Sequence, residues 1–293
     1  MGKSDRQVLV AVGDSWTDEN FQSSVYKDVD CSWPKWPEHL AKDLDMDLIN
    51  LGQSGAGNLQ IFSKVVDATQ LENIGGVVVM WSEPDRIDFE IHGAKDLTGY
   101  NSITDSAFYH WSPRRSLGNK RQTHMPLEKR YTTFFDMGRV QRSLQRSPTD
   151  FDHLAEEVLK LGIWHIATTW KLTFRYMFAV QNLLENLKIP YLQIQGTNPF
   201  FTWMMDEKGN YTQDYSQELN KLLGYIKNLD YMFSMDSEKF VGWPCFEKLG
   251  GYRTSNVIRD EKYRIGAEDS HPNKEGHRII ANHLLEEWNK IYK

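Results

Sequence analysis

The sequence contains little cysteine and no long apolar run. Its 293 residues include 2 cysteines, Cys31 and Cys245. These are too few for a disulfide framework or a cysteine-based zinc site, although a single bridge between them stays open. No apolar stretch approaches the ~20 residues of a membrane span, and the polar residues 1–6 lack the apolar region of a signal peptide. We therefore expect no membrane partner and a cytoplasmic location.

Excess positive charge and phosphate-binding motifs are also missing. The formal net charge is -6, which argues against nucleic acid as the main partner. No Gly-x-x-x-x-Gly-Lys loop is present, and the glycines of residues 52–57 do not match a dinucleotide fingerprint. His271, His277 and His283 recur at a spacing that does not place them on one helix face. We expect neither a cofactor nor a metal.

Aromatic residues, by contrast, are abundant, and one segment is markedly basic. The chain has 10 Trp and 13 Tyr. Such residues line carbohydrate or peptide grooves when they lie on loops, and fill the core when they are buried. The segment at about 87–150 has no clean period and carries a cluster of basic side chains, so we expect an irregular insertion. Its charges either hold an anionic ligand or form a solvated loop that balances acidic neighbours.

Apolar strands alternate with amphipathic helices along the rest of the chain. The predicted elements are a strand at 8–12, a helix at 33–44, a strand at 47–51, a helix at 59–71, a strand at 75–81, helices at 151–160 and 164–187, a strand at 189–196 and a closing helix at 278–288. This alternation is typical of a doubly wound parallel sheet covered by helices. We predict a single α/β domain over residues 1–293, with the insertion after its third strand.

The first strand leads directly into a candidate nucleophile. Residues 8–12 are followed by Gly13, Asp14 and Ser15, where we expect the strand to end and a helix to begin. Ligands bind at that edge of a parallel sheet, and helix N-terminal amides would stand behind the serine hydroxyl. The alternative is that Ser15 only caps the helix, because Ser15-x-x-Asp18 fits a capping box.

A candidate base lies near the other end of the chain. His271 follows Asp269 by two positions and Glu268 by three, just before the closing helix. A carboxylate at either position can orient the imidazole through one ring nitrogen. The other ring nitrogen is then free to take a proton from a serine.

Three blocks in this order resemble the SGNH (GDSL) hydrolase superfamily, namely residues 13–15, 50–55 and 269–272. The resemblance implies a flavodoxin-like three-layer α/β/α sandwich, which is the SGNH hydrolase fold. It also implies ester hydrolysis, with Ser15 as the nucleophile and His271 as the general base and then acid.

The same resemblance assigns the remaining roles at the site. It implies Asp269 as the carboxylate, and the backbone N–H groups of Ser15 and Gly55 as oxyanion donors. The usual Asp-x-x-His spacing would select Glu268 instead of Asp269. The shorter Asp-x-His form occurs in acetyl-transferring and acetyl-removing relatives, and on that basis we favour Asp269.

The third block departs from the family pattern. A Gly-x-Asn-Asp turn whose Asn donates to the oxyanion is expected there, but residues 81–86 contain no Asn. Loss of one such donor typically costs about 10²–10³ in rate. A carboxylate at Glu83 would repel an oxyanion, so we predict that it points away from Ser15 or pairs with Arg86. Asp14 is also expected to support the site. The side chains that could replace the missing donor are those of Arg86, Asn58, Ser82 and Asn198.

These observations predict a serine esterase of the SGNH type that hydrolyses acyl esters, such as O-acetyl groups on a carbohydrate. Two alternatives stay open. One is an acyltransferase that uses the same acyl-enzyme, and the other is a weakly active or inactive SGNH-fold protein with a binding or structural role. The third block is similar to SGNH-like proteins of tailed phages, which makes a virion-associated location the alternative to the cytoplasm. The sequence determines neither the natural substrate nor the oligomeric state.

Overall fold

A parallel β-sheet forms the centre of the protein. The computed structural model describes residues 6–84, 86–91, 108–111, 130–134, 153, 156–158, 160, 161, 163, 166–197 and 213–293. In chain order, the helices and strands of this part are β1 (Val8–Val12), α1 (Trp36–Asp43), β2 (Asp47–Asn50), α2 (Asn58–Ala68), β3 (Ile74–Trp81), β4 (Ile87–Ile91), β5 (Phe108–Trp111), β6 (Arg130–Phe134), α3 (Ile166–Asn186), β7 (Tyr191–Gln195), α4 (Gln213–Lys227), α5 (Asp230–Ser234), β8 (Phe240–Val241), α6 (Thr254–Val257), β9 (Arg264–Gly266), β10 (Asp269–Pro272) and α7 (Lys274–Tyr292).

The strand order of the central sheet is β2-β1-β3-β7-β8, and all neighbouring strands are parallel. This is the order of flavodoxin-like sheets, in which ligands bind beside the first strand at the carboxyl edge. The register pairs Val10 with Ile49 of β2 and with Val77 of β3. The turns that follow β1, β2 and β3 therefore meet at one edge of the sheet.

Two apolar cores, one on each face of the sheet, hold the helices in place. Successive strand residues point to opposite faces, so Val10 and Val12 lie in one core, whereas Leu9 and Ala11 lie in the other. The first core is completed by buried residues of α2 and α3, and the second by buried residues of α1 and α7. Helices thus cover both faces, and the expected three-layer α/β/α architecture is confirmed.

Tryptophan side chains fill much of both cores. Those that are buried are Trp16, Trp36, Trp81, Trp170 and Trp288. Gly76 makes room for Trp288, because a Cβ atom at Gly76 would lie 2.2 Å from the Cη2 atom of the indole. Burial of one large apolar side chain contributes about 1.5–3 kcal/mol. These tryptophans therefore serve packing, and they give no support to the interpretation that the aromatic residues line a carbohydrate groove.

The helix that we expected directly after Ser15 is absent. Residues 14–17 form a single turn, and no helix of the described residues begins before Trp36. The side chains of Asp18 and Ser23 accept hydrogen bonds from backbone N–H groups close to them in sequence. Such local bonds compete with helix formation, and they leave this segment as an extended loop over the edge of the sheet.

The described part of the insertion contains three strands, and for the rest of residues 87–150 an irregular insertion stays a prediction. Strands β4, β5 and β6 form an antiparallel sheet in the order β4-β6-β5. Asp88 of β4 accepts hydrogen bonds from the N–H groups of Gly57 and Gln60, at 3.1 and 2.8 Å, and so caps the N-terminus of α2. The basic side chains behind the anionic-ligand interpretation lie outside the described side chains.

Three further expectations concern membranes, metals and cysteines. Within the described ranges, no helix is long and apolar enough to cross a membrane. The same residues contain no group of three or more His, Cys, Asp or Glu side chains arranged to hold a metal ion. Cys31 and Cys245 are both buried and unbridged, so the disulfide that the sequence left open is not formed.

Candidate active site

Ser15 lies in the turn after β1, at the carboxyl edge of the sheet. The N–H groups of Thr17 and Asp18 donate to the Asp14 carbonyl oxygen at 2.9 and 3.1 Å, which closes the turn. Glycine is required at position 13, because a Cβ atom there would lie 2.2 Å from Oγ1 of Thr17. The tight turn presents the Ser15 hydroxyl beyond the end of the strand.

The hydroxyl of Ser15 is hydrogen-bonded to His271 from the other end of the chain. The distance from Ser15 Oγ to His271 Nε2 is 2.8 Å, across a sequence separation of 256. The imidazole stacks on the ring of Phe21, with centroids 4.2 Å apart and planes inclined by 24°. Phe21 thereby fixes the plane of the imidazole and covers one of its faces, while the side chain of His271 stays 27% exposed.

Asp269 accepts hydrogen bonds from both the imidazole and the backbone N–H of His271. Its Oδ1 atom lies 2.5 Å from Nδ1 of the imidazole and 3.0 Å from the backbone N. Asp269 and His271 are two positions apart on β10. Burial by itself raises the pKa of the Asp269 carboxyl, but the hydrogen bonds and positive charge of His271, with the hydroxyl of Ser23, lower it to about 2. The carboxylate is therefore ionised throughout the neutral range.

Glu268, the alternative carboxylate, is not part of this arrangement. Its side chain is exposed, whereas Asp269 is 5% exposed. The backbone N–H of Glu268 donates to the Tyr26 hydroxyl at 3.4 Å. The structure thus brings Asp269, and not Glu268, to the imidazole, since Glu268 lies in the exposed turn before β10.

Ser23 is a member of the site that the sequence did not indicate. Its hydroxyl donates to Oδ2 of Asp269 at 2.5 Å and accepts the N–H of Tyr26 at 2.9 Å. Ser23 is buried, as is the carboxylate it contacts. No local motif marks this serine, since its partner lies 246 positions away. Only the path of the loop across the edge of the sheet brings the two together.

The turn after β2 lies directly beside the turn that carries Ser15. Oδ2 of Asp18 accepts hydrogen bonds from the N–H and the hydroxyl of Ser54, at 2.8 and 2.6 Å. Gly52 allows this approach, because a Cβ atom there would lie 2.5 Å from the carbonyl carbon of Thr17. The carboxylate of Asp18 therefore joins two turns and does not form a capping box with Ser15, so that alternative is wrong.

Two backbone N–H groups at this junction are available to a ligand. Neither the Ser15 nor the Gly55 N–H group donates to an acceptor within the described residues. Gly55 adopts a φ of +83°, in the left-handed region that favours glycine. It lies in a turn closed by a hydrogen bond of 3.0 Å from the Ala56 N–H to the carbonyl oxygen of Gln53.

The third turn, after β3, contains the ion pair expected between Glu83 and Arg86. The Nε and Nη2 atoms of Arg86 lie 2.9 and 2.7 Å from Oε2 of Glu83. Nη1 of the same guanidinium group lies 3.3 Å from Oδ2 of Asp14, a buried carboxylate that also accepts the hydroxyl proton of Ser82 at 3.0 Å. The guanidinium group of Arg86 thus compensates the negative charge of Glu83.

Two candidate replacements for the missing oxyanion donor are engaged elsewhere. The side-chain amide of Asn58 donates to the carbonyl oxygen of Ser82 at 3.2 Å and to the hydroxyl of Thr173 at 3.0 Å. Both of its N–H groups are therefore used inside the fold. The Ser82 hydroxyl donates to Asp14. Asn58 and Ser82 are corrected from candidate donors to structural residues, and Asn198 lies outside the described residues.

Comparison with known proteins finds similarity at the level of solved structures. No protein-family model matches the chain, and no curated protein matches it either. A lipolytic protein of the G-D-S-L family from Desulfitobacterium hafniense DCB-2 is 11% identical, with a TM-score of 0.40 over 96% of this chain and 99% of that chain. A G-D-S-L family member from Veillonella parvula DSM 2008 is 13% identical, with a TM-score of 0.36 over 96% and 97%.

A third similar structure is a catalytic mutant of an acetylxylan esterase from Geobacillus stearothermophilus. It is 12% identical to this chain, with a TM-score of 0.42 over 97% of this chain and 94% of that chain. At these identities and TM-scores the similarity carries no conclusion about activity. The α/β fold and the chemistry of the site rest on this chain's own structure, to which two lipolytic proteins of the G-D-S-L family and an acetylxylan esterase mutant show this limited similarity.

Proposed function

We propose that this protein is a serine esterase of the SGNH type. The observation that carries the proposal is the continuous hydrogen-bonded path from the Ser15 hydroxyl, through both ring nitrogens of His271, to the carboxylate of Asp269. A nucleophile, a base and a group that orients the base are the parts that acyl transfer through a covalent intermediate needs. Their order in space matches the Ser-His-Asp arrangement found on several unrelated folds.

The acylation step follows from this path. The Nδ1–H group of His271 donates a hydrogen bond to Asp269, which leaves Nε2 as the acceptor for the Ser15 hydroxyl. As Oγ of Ser15 attacks the ester carbonyl carbon, the hydroxyl proton moves to Nε2 and the carbonyl oxygen becomes an oxyanion. The C–O bond to the alcohol then breaks, and the imidazolium returns the proton to the departing oxygen. The ionised Asp269 stabilises the imidazolium in between.

Deacylation repeats the same steps with water as the nucleophile. Water gives its proton to Nε2 of His271 while its oxygen attacks the acyl carbon. The second oxyanion collapses, the bond to Oγ of Ser15 breaks, and the proton returns to that oxygen. An acyltransferase would use an acceptor alcohol in place of water at this step.

The oxyanion is assigned to the backbone N–H groups of Ser15 and Gly55. Both groups lack acceptors in the described part of the chain, so they can donate without breaking a bond of the fold. Preorganised donors of this kind stabilise charge that develops in the transition state. Two backbone donors then replace the three that the family pattern supplies.

The substrate we propose is a small acyl ester, with the O-acetyl group of a carbohydrate as the specific candidate. The support for an acetyl group is the Asp-x-His spacing of Asp269 and His271, which resembles acetyl-removing relatives and brings the carboxylate to the imidazole. A series of p-nitrophenyl esters from acetate to octanoate measures the preferred chain length. An acetylated xylo-oligosaccharide, followed by release of acetate, tests the carbohydrate part separately.

The experiment that tests the proposal compares the protein with its Ser15→Ala variant. We expect hydrolysis of p-nitrophenyl acetate and covalent labelling by a fluorophosphonate in the parent protein. The variant should lose labelling and about 10³-fold or more of the hydrolysis rate, with little change in Tm. Ser237→Ala, at an exposed serine outside the site, is the matched control and should behave like the parent.

Two results would contradict the proposal. Activity retained by the Ser15→Ala variant would show that Ser15 is not the nucleophile. A parent protein that neither hydrolyses the ester nor reacts with the phosphonate would favour the alternative of a binding or structural protein with this fold.

A further inference from the structure

We propose that Arg86 is a positioning residue that holds the two oxyanion turns, those of Ser15 and Gly55, in fixed relation to each other. The proposal rests on the serine esterase function proposed above and concerns the third block, where the family pattern has an Asn. One guanidinium group reaches both turns and the carboxylate of Glu83 at the same time.

The contact with the Ser15 turn runs through Asp14. Oδ2 of Asp14 lies 3.3 Å from Nη1 of Arg86, and Oδ1 accepts the N–H of Trp16 at 3.1 Å. The carboxylate therefore joins the residue before Ser15 to the residue after it. Because Arg86 holds that carboxylate, it constrains the peptide units on both sides of the nucleophile, including the Ser15 N–H.

The contact with the Gly55 turn runs through the neighbouring residue. Nη1 of Arg86 donates to the carbonyl oxygen of Ala56 at 2.9 Å. Ala56 closes the turn around Gly55 through its own N–H, which donates to Gln53. The end of the turn is thus anchored to the same guanidinium nitrogen that contacts Asp14, so a single group sets the separation of the two oxyanion donors.

The charge of Arg86 matters as well as its reach. Asp14 is 1% exposed and Glu83 is 9% exposed, so two buried carboxylates lie against one guanidinium group. Like charges disfavour each other at short range, and removal of one partner from a buried ion pair leaves the other charge uncompensated. Arg86, with a side chain 8% exposed, offsets this negative charge before the reaction begins.

Lysine could not serve in the same way. Arg86 uses Nε and Nη2 to contact Glu83, and Nη1 to contact both Asp14 and Ala56. The planar guanidinium group has five donors in a rigid fork, whereas the ammonium group is a compact charge on a flexible stem. Arg86→Lys therefore keeps the charge and removes the geometry, which makes it the sharpest test of positioning.

The test measures kcat and KM for p-nitrophenyl acetate in the Arg86→Lys variant, with kcat expressed per serine labelled by a fluorophosphonate. We expect kcat per labelled serine to fall by about 10²-fold, the scale of one lost oxyanion donor, with KM changed by less than about threefold, because an interaction made in the transition state is lost. A merely structural role would lower the number of labelled serines and leave kcat per serine unchanged. That result would overturn the inference.

A control variant and a variant of Glu83 show whether kcat depends on the contacts of Arg86 with the two turns or on its ion pair with Glu83. Arg259→Lys, in an exposed ion pair with Glu247, is the matched control and should keep the parent kcat. Glu83→Gln leaves the contacts of Arg86 with Asp14 and Ala56 in place, so it should keep or raise kcat. A 10²-fold loss in Glu83→Gln would show that the ion pair sets the rate, and would overturn the assignment to the two turns.

Further outcomes distinguish a folding defect, a failure of the proposed function and a failure of the inference about Arg86. If Arg86→Lys fails to fold, the double variant Arg86→Gln/Glu83→Gln removes one positive and one negative charge together, so the net charge of the site is unchanged, and the same loss of kcat per labelled serine is expected. If the parent protein is neither active nor labelled, the proposed function fails and this inference with it. If the parent is active and the Arg86 variants keep kcat, only this inference fails.

Discussion

The carboxylate of Asp269 offers the most quantitative test of the site. We expect Asp269→Asn to lower kcat by between about 60-fold and about 10⁴-fold. The lower figure follows from the pKa of Asp269, which the site lowers from 3.8 to about 2. That difference corresponds to about 2–3 kcal/mol of favourable interaction with the carboxylate, or about 60-fold. The upper figure is the loss measured for the equivalent change in serine proteases.

The larger loss is expected because of the tautomer of His271. An Asn side chain at position 269 can turn its amide N–H toward Nδ1, which then has to be the unprotonated nitrogen. The proton of the neutral ring would lie on Nε2, 2.8 Å from the Ser15 hydroxyl, and the imidazole could no longer accept the serine proton. The assay is kcat for p-nitrophenyl acetate between pH 6 and pH 9, with Tm as the check on folding.

Glu268→Gln is the control for this experiment. It removes a neighbouring carboxylate of similar chemistry whose side chain is exposed, and we expect kcat within about twofold of the parent protein, as is usual for surface changes of this kind. A loss in Glu268→Gln that exceeds the loss in Asp269→Asn would refute the assignment of the carboxylate. It would also mean that the hydrogen bonds of Asp269 serve only the loop.

Two other changes probe the surroundings of the site. Ser23→Ala should raise the pKa of Asp269 and lower kcat by about tenfold or more, because a hydrogen bond to a charged group is worth about 1.5–3 kcal/mol. Ser23→Thr keeps the hydroxyl and should restore most of the rate. Equal rates in the two variants would exclude a role of the Ser23 hydroxyl in the reaction. Burial lowers the pKa of Lys64 to about 7, so between pH 7 and pH 10 the unfolded chain holds a proton that the folded one lacks, and the free energy of unfolding should rise with pH. Lys64→Met should weaken that rise in denaturant titrations, and an unchanged slope would show that the ammonium group stays charged in the fold.

Local physics explains which parts of this protein could be predicted. The runs at β1 and β3 are apolar and β-branched over the length of a buried strand, and the closing helix shows its apolar face at helical spacing, so each pattern specifies its element without reference to the rest of the chain. Gly13 and Gly52 mark the turns after β1 and β2, because a Cβ atom at Gly13 would meet the Thr17 side chain and one at Gly52 would meet the Thr17 backbone. The strand order and the candidate residues Ser15 and His271 follow from these local signals together with the resemblance to a known family.

Contacts between distant residues account for what could not be predicted. Asp269 is buried against the loop that contains Ser23, whereas Glu268 lies in the exposed turn before β10, and that packing decides which carboxylate meets the imidazole. The loop itself was expected to be a helix, because a capping pattern is visible locally while the distant partner of Asp18 is not.

The sequence by itself determined a parallel α/β sheet with a serine and a histidine at its carboxyl edge, because hydrophobic periodicity and glycine turns are properties of short segments. Only the tertiary structure decided which carboxylate faces the histidine, that Ser23 joins it, and that Arg86 reaches two turns at once. In each case the local sequence offers several side chains that could take the role and does not distinguish between them. These assignments depend on contacts between residues up to 256 positions apart in the sequence. The pattern within one segment does not show which distant residue that segment will contact.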